Sequence, residues 1–111
     1  MTSTSTLGEF EHVVLLAILR LDDHAYGVSI RSEIGKRTGR DTSPGALYTT
    51  LDRLEGKGLL QARAGDPTPE RGGRAKRFYK VTALGRAAVI ESQRVLRSLS
   101  AGLKLFGVSN A

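Results

Sequence analysis

The chain has 111 residues, with 17 Lys and Arg against 11 Asp and Glu, a formal charge of +6 and an isoelectric point near 10.2. That length makes one domain, alone or with an extended helix, and the basic balance favours a polyanionic partner or an acidic surface. The chain has no cysteine, which excludes disulfides, thiolate metal sites and cysteine nucleophiles.

The start, MTSTSTLGEF, lacks a basic segment ahead of an apolar run, so no signal peptide is expected. The longest unbroken apolar run, Val13 to Leu19, is far short of the roughly 20 residues that a spanning helix needs. A soluble, cytoplasmic protein without membrane contact is expected. The charge is uneven. Between Arg63 and Lys80 there are six cations and two anions, so this segment contributes +4 of the +6.

Residues 1–6 are small and polar and read as a frayed tail. A first helix is expected over Gly8–Leu21, with Phe10, Val14, Ala17, Ile18 and Leu21 at helical spacing and Val13, Leu16 and Leu19 widening the apolar face. Asp22 or Asp23 would cap a second helix over Ala25–Arg37. Tyr26, Ile30 and Ile34 share one face of it with Val28 beside them, and Gly39 suits its stop. Gly27 reads equally well as a tolerated glycine or as a point of close packing or of close approach to a backbone.

Ser43-Pro44 is a strong helix start, Ser as the cap and Pro at the first helical position. The third helix should reach Lys57, with Leu47, Leu51 and Leu54 inward and Gly58 at its end. Leu59–Ala64 and Lys76–Val81 alternate as strands around a loop too rich in Gly and Pro for regular structure. Thr82 would cap a last helix over Ala83–Phe106. There Val89, Leu96 and Leu103 interleave with Ser92, Leu99 and Phe106 as a seam of period seven. Such a seam, with Phe10, reads as a dimer interface; the alternative is an ordinary amphipathic helix on its own core.

Three helices followed by a two-stranded hairpin is the order of a winged helix-turn-helix, a mainly α fold with one β hairpin (α+β). A helix with small outward residues at its start can enter a major groove, and its free N–H groups can meet a phosphate. Ser43, Gly45, Ala46 and Thr49 are such residues, Thr49 able to bond a base edge or touch a thymine methyl. The Tyr48 hydroxyl and Arg53 can reach phosphates. Arg71, Arg74, Lys76 and Arg77 at the hairpin tip would lie along the backbone or enter a minor groove.

The stretches LGEFEHVVLLAILRL, AYGVSI, GALYTTLDRLEGKGLL and GGRAKRFYKVTALG together resemble the PadR family of transcriptional regulators, from Leu7 onward. The resemblance implies that the third helix is the recognition helix, the hairpin the wing, and the C-terminal helix the dimerisation element. It places Tyr48 and its neighbours on DNA, with Tyr26 of the second helix, and sets Arg74, Lys76 and Arg77 on phosphates. Tyr79, Thr82 and Gly85 become a structural junction. Two positions depart from the usual pattern: Thr49 stands where many relatives have proline, and Tyr26 precedes Gly27 where the glycine often comes first.

The expected organisation is a tail over 1–6, a winged helix-turn-helix over 7–82 and a dimerisation helix over 83–111. The expected function is that of a bacterial, sequence-specific regulator, a repressor, binding a pseudo-palindromic operator in double-stranded DNA as a homodimer and associated with the nucleoid when bound. A small-molecule-sensing or protein-docking winged-helix module is the alternative, and any effector is left open. No catalytic or metal site and no cofactor are expected: His12 and His24 lack a ligand partner at helical spacing, and no GxSxG, phosphate-loop or HExxH pattern occurs.

Overall fold

The computed structural model describes residues 7–65 and 76–105. Helix α1 spans Glu9–Leu21, α2 Gly27–Thr38, α3 Pro44–Gly56 and α4 Ala83–Ser100; strands β1, Leu60–Ala64, and β2, Arg77–Val81, form the hairpin. This is the order expected of a winged helix-turn-helix.

Helix α1 begins where the Gly8 N–H donates to the Glu11 carboxylate at 2.8 Å, and Glu9 and Glu11 both lie in its first turn, where the helix dipole favours negative charge. Val14, Leu15, Ala17 and Ile18 are buried, with Phe10, Val13, Leu16 and Leu21 packed against them. The helix ends as Asp22 turns to φ 54°, and a single 3-10 turn follows over Asp22–His24.

The expected aspartate cap of α2 is not found. Tyr26 is the cap residue, and its N–H donates to the Ser29 hydroxyl at 3.0 Å. Ser29 in turn donates to the His24 carbonyl, so both aspartates lie inside the 3-10 turn and the helix starts only at Gly27. Val28 departs from the apolar face expected of α2: it is 67% exposed, whereas Ile30 and Ile34 are buried. Gly39 closes the helix in the left-handed region at φ 74°.

Helix α3 starts and stops as its sequence requires. The Ser43 hydroxyl accepts from the Ala46 N–H at 3.1 Å, with Pro44 opening the helix. At the other end Gly58 takes φ 78°, its N–H bonds the Glu55 carbonyl and the Leu59 N–H bonds the Leu54 carbonyl, both at 3.0 Å. That pair of bonds is a Schellman motif, with buried Leu54 and Leu59 as its apolar contact.

The hairpin pairs Leu60 with Val81, Ala62 with Tyr79 and Ala64 with Arg77. A further rung has no counterpart in the sequence pattern. Tyr26 bridges Phe78 in antiparallel fashion, and the Tyr79 N–H donates to the Ala25 carbonyl at 2.8 Å, so the segment before α2 sits against the hairpin as a minimal third strand.

The Thr82 hydroxyl accepts from the Gly85 N–H at 3.0 Å and donates to the Gly58 carbonyl at 2.7 Å, joining the start of α4 to the end of α3. Leu47, Leu51 and Leu54 complete the core with Ile30, Ile34, Leu60, Tyr79 and Val89.

Helix α4 is shorter than expected. It ends at Ser100, and Gly102 adopts φ 82°, so Leu103 lies beyond the helix. The seven-residue seam is therefore not carried on one continuous helix as far as Leu103.

Candidate nucleic-acid interface

The small residues at the start of α3 sit together on the surface. Ser43, Gly45, Ala46, Thr49 and Arg53 are all exposed, and a Cβ built on Gly45 would meet nothing within 4 Å. This face combines low steric bulk with the positive end of a 13-residue helix, the requirements for entering a groove beside phosphates.

The platform under that face is fixed by contacts distant in sequence. The Arg31 Nε donates to the Thr42 carbonyl at 2.7 Å, tying α2 to the link before α3. Arg40, in the same link, forms a two-pronged pair with Glu9 at 3.1 and 2.7 Å and lies 5.7 Å from the Phe10 ring centroid. Lys57 reaches from the end of α3 to Glu11 at 2.9 Å. Burial alone would raise the Glu11 pKa, but the Lys57 ammonium, the Gly8 N–H and the nearby charge of Arg53 outweigh it and hold the carboxyl below its ordinary value.

Tyr48 is 44% exposed, but its ring turns back over the start of α2. A Cβ on Gly27 would overlap the Tyr48 hydroxyl oxygen and come within 2.7 Å of Cζ. Gly27 is thus a point of close approach, made necessary by a side chain rather than by a backbone. The Tyr48 hydroxyl therefore stands at the head of α2, against Gly27.

Tyr26 is built into the hairpin. Its ring meets Phe78 edge-on, with centroids 5.4 Å apart and planes at 60°. Lys76 places its ammonium 4.3 Å from the Tyr26 centroid, and Arg63 lies 4.8 Å from that of Phe78. These cation–π contacts orient two charges on the outer face of the hairpin without neutralising them. Arg77 differs: its Nη2 lies 3.3 Å from both oxygens of Glu55 on α3, and this pairing raises the arginine's already high pKa further. Arg71 and Arg74 lie outside the described residues, as does Phe106.

The expected dimer residues divide. Val89 is only 4% exposed, buried in the chain's own core, whereas Leu96 at 60%, Leu99 at 74% and Leu103 at 60% are left on the surface. Phe10 is half-buried against the core of its own chain. Among the described residues no group of three or more His, Cys, Asp or Glu could hold a metal ion, and no helix is long and apolar enough to cross a membrane.

The sequence pattern of a family of regulators coincides with this architecture: the model of the transcriptional regulator PadR-like family matches residues 15–91, from α1 into α4. The chain belongs to the PadR-like family. Its members are transcriptional regulators rather than enzymes, and the chain is accordingly a PadR-like regulator with a winged-helix DNA-binding fold. Over 81 residues it is 42% identical to the transcriptional regulator Rv3488 of Mycobacterium tuberculosis, a match that covers 71% of this chain and 69% of that protein. Solved structures share the fold, these two among them. A PadR family transcription regulator from Clostridium difficile R20291 superposes with a TM-score of 0.69 at 20% identity, covering 89% of this chain and 99% of that one. The F93 protein of STIV, a winged-helix DNA-binding protein, gives 0.67 at 20% identity over 88% and 98%.

The long-range pairs Glu9–Arg40, Glu11–Lys57 and Glu55–Arg77 and the Tyr26–Phe78 rung carry no signal in the sequence. The one local signal is the YG pair at 26–27, which leaves the role of the glycine open.

Proposed function

We propose that this PadR-like chain is a homodimeric, sequence-specific regulator that binds a pseudo-palindromic operator in double-stranded DNA and represses by occupying it. The observation that carries the reading is the exposed, small-residue face of Gly45, Ala46 and Thr49 at the start of α3, on the same fold as a hairpin whose Lys76 and Arg63 are held over aromatic rings. The α3 face supplies base readout, with Thr49 as its polar contact. Ser43, Arg53, Lys76 and the head of α2 at Tyr26 and Tyr48 supply phosphate contacts, which set orientation and most of the affinity.

The dimer reading is supported by the far end of α4. There Leu96 and Leu99 continue the line begun by buried Val89 but remain exposed on their own chain. Exposed leucines on one stripe are a cost in water that a second copy of α4 removes.

Fluorescence anisotropy on labelled duplex DNA across a salt series tests the reading. About 6–10 phosphate contacts per dimer should make log K fall linearly and steeply with log salt. Affinity indifferent to salt would leave a winged helix that docks protein rather than DNA.

A further inference from the structure

We propose that Arg77, although it stands in the basic hairpin, is a positioning residue: Glu55 holds it against α3, and its charge is withheld from DNA phosphates. The proposal rests on the DNA-binding reading above and refines how the hairpin serves it.

Lys76 and Arg77 are adjacent, but the fold treats them differently. Lys76 faces the Tyr26 ring at 4.3 Å and has no carboxylate partner among the described residues. Its contact with the ring orients the charge outward and does not offset it. Arg77 opens β2 opposite Ala64 and points the other way, across to α3. One Nη2 lies between the two Glu55 oxygens, 3.3 Å from each, and the guanidinium carbon is 5.9 Å from the centroid of the buried Tyr79 ring.

The backbone that carries Glu55 is itself fixed. Glu55 belongs to the last turn of α3, where its carbonyl accepts from the Gly58 N–H in the helix-closing motif. A carboxylate attached to the recognition helix offers the guanidinium the same oxygen chemistry as a phosphate, and it travels with the helix into any complex. A guanidinium whose charge is offset by a carboxylate adds little net charge toward a phosphate and so contributes little to counterion release. Its effect is to set the angle between the hairpin root and α3.

The test is a double-mutant cycle on the full chain with Arg77→Ala, Glu55→Gln and the double variant, plus Lys76→Ala. Binding to a mixed-sequence duplex long enough for two half-sites is read as the slope of log K against log salt. The expected result is that Arg77→Ala leaves the slope unchanged, while Lys76→Ala lowers its magnitude by about 0.9 for each phosphate left without its cation. Glu55→Gln, by freeing the guanidinium, steepens the slope by about the same amount, and only while Arg77 is present. Thermal melting of each variant confirms that the fold persists. A slope that falls on Arg77→Ala alone, or a Glu55→Gln effect that survives in the double variant, overturns the proposal. Absence of salt-dependent binding in the parent chain overturns the DNA-binding reading, and this proposal with it.

Discussion

The ring of Tyr48 fills the space in which a side chain on Gly27 would begin, so the head of α2 and the exposed face of α3 are set against each other by one tyrosine and one missing Cβ. Gly27→Ala must displace the ring. Tyr48 is partly exposed and its hydroxyl is the far end of a flexible side chain, so the ring can swing outward. The expected loss of stability is on the order of 1 kcal/mol, the cost of an unfavourable rotamer. Urea denaturation checks this, and the loss should vanish when Tyr48→Ala is made first. An equal loss in both backgrounds would show that the glycine serves something other than the tyrosine.

Gly85 makes the opposite case. A Cβ there would overlap the Leu59 carbonyl oxygen and come within 2.8 Å of Val81 Cγ1. The first obstacle is backbone, held by the Thr82 N–H at 3.1 Å, and cannot swing aside. Gly85→Ala should cost about 1–3 kcal/mol through overpacking, more than Gly27→Ala in the same denaturation assay, and no single side-chain truncation should recover it.

The Glu11 carboxylate gives the fold a specific acid sensitivity. Its side chain is 8% exposed and paired with Lys57, and its pKa is depressed in the folded state. A depressed acidic pKa stabilises the fold at any pH above the unfolded value, about 4.3 for glutamate. The stabilisation is lost as pH falls from there through the folded value. Glu11→Gln should therefore lower stability at neutral pH by about 1–3 kcal/mol, the cost of weakening a charge-assisted network, and should flatten the acid limb of the melting-temperature profile. A profile that keeps its acid limb would assign that limb to another group. Glu9 and Glu91 also have lowered pKa values but are solvent-exposed ion pairs, where screening leaves little stabilisation to lose.

Helix α4 should separate folding from assembly. Val89→Ala removes a side chain buried in the chain's own core and should destabilise the fold by about 2 kcal/mol. Leu96→Lys and Leu99→Lys change exposed positions. They should leave the fold intact by circular dichroism while moving the sedimentation coefficient from dimer to monomer. If both lysine variants stay dimeric at low micromolar concentration, the interface lies elsewhere.

Most of the fold is legible because its boundaries are written in local chemistry. Ser43-Pro44, Gly39, Gly58 and Thr82 act within one turn of their own positions, and Leu47, Leu51 and Leu54 repeat at the helix period. Contacts that set the elements against one another leave no such trace. Arg40 finds Glu9 across 31 residues, Lys57 finds Glu11 across 46, and the Tyr26–Phe78 rung is one residue long, too short for any periodicity to register. At α4 the reverse holds. The seven-residue repeat runs on in the sequence past Ser100, but apolar spacing carries no information about φ, and Gly102 is the stop signal to weigh against it. The exposed face of α3 is readable from its small residues; that Tyr48 turns back from it onto Gly27 is not.

Selection of DNA fragments from a random pool by the purified chain tests the proposed role most directly. Two recognition helices related by a two-fold axis should enrich an inverted repeat with half-site centres about 10 bp apart, and Thr49→Ala should change the preferred bases within each half-site without changing that spacing. Failure to enrich any sequence, or enrichment of a single unpaired half-site, would contradict a dimeric, sequence-reading regulator.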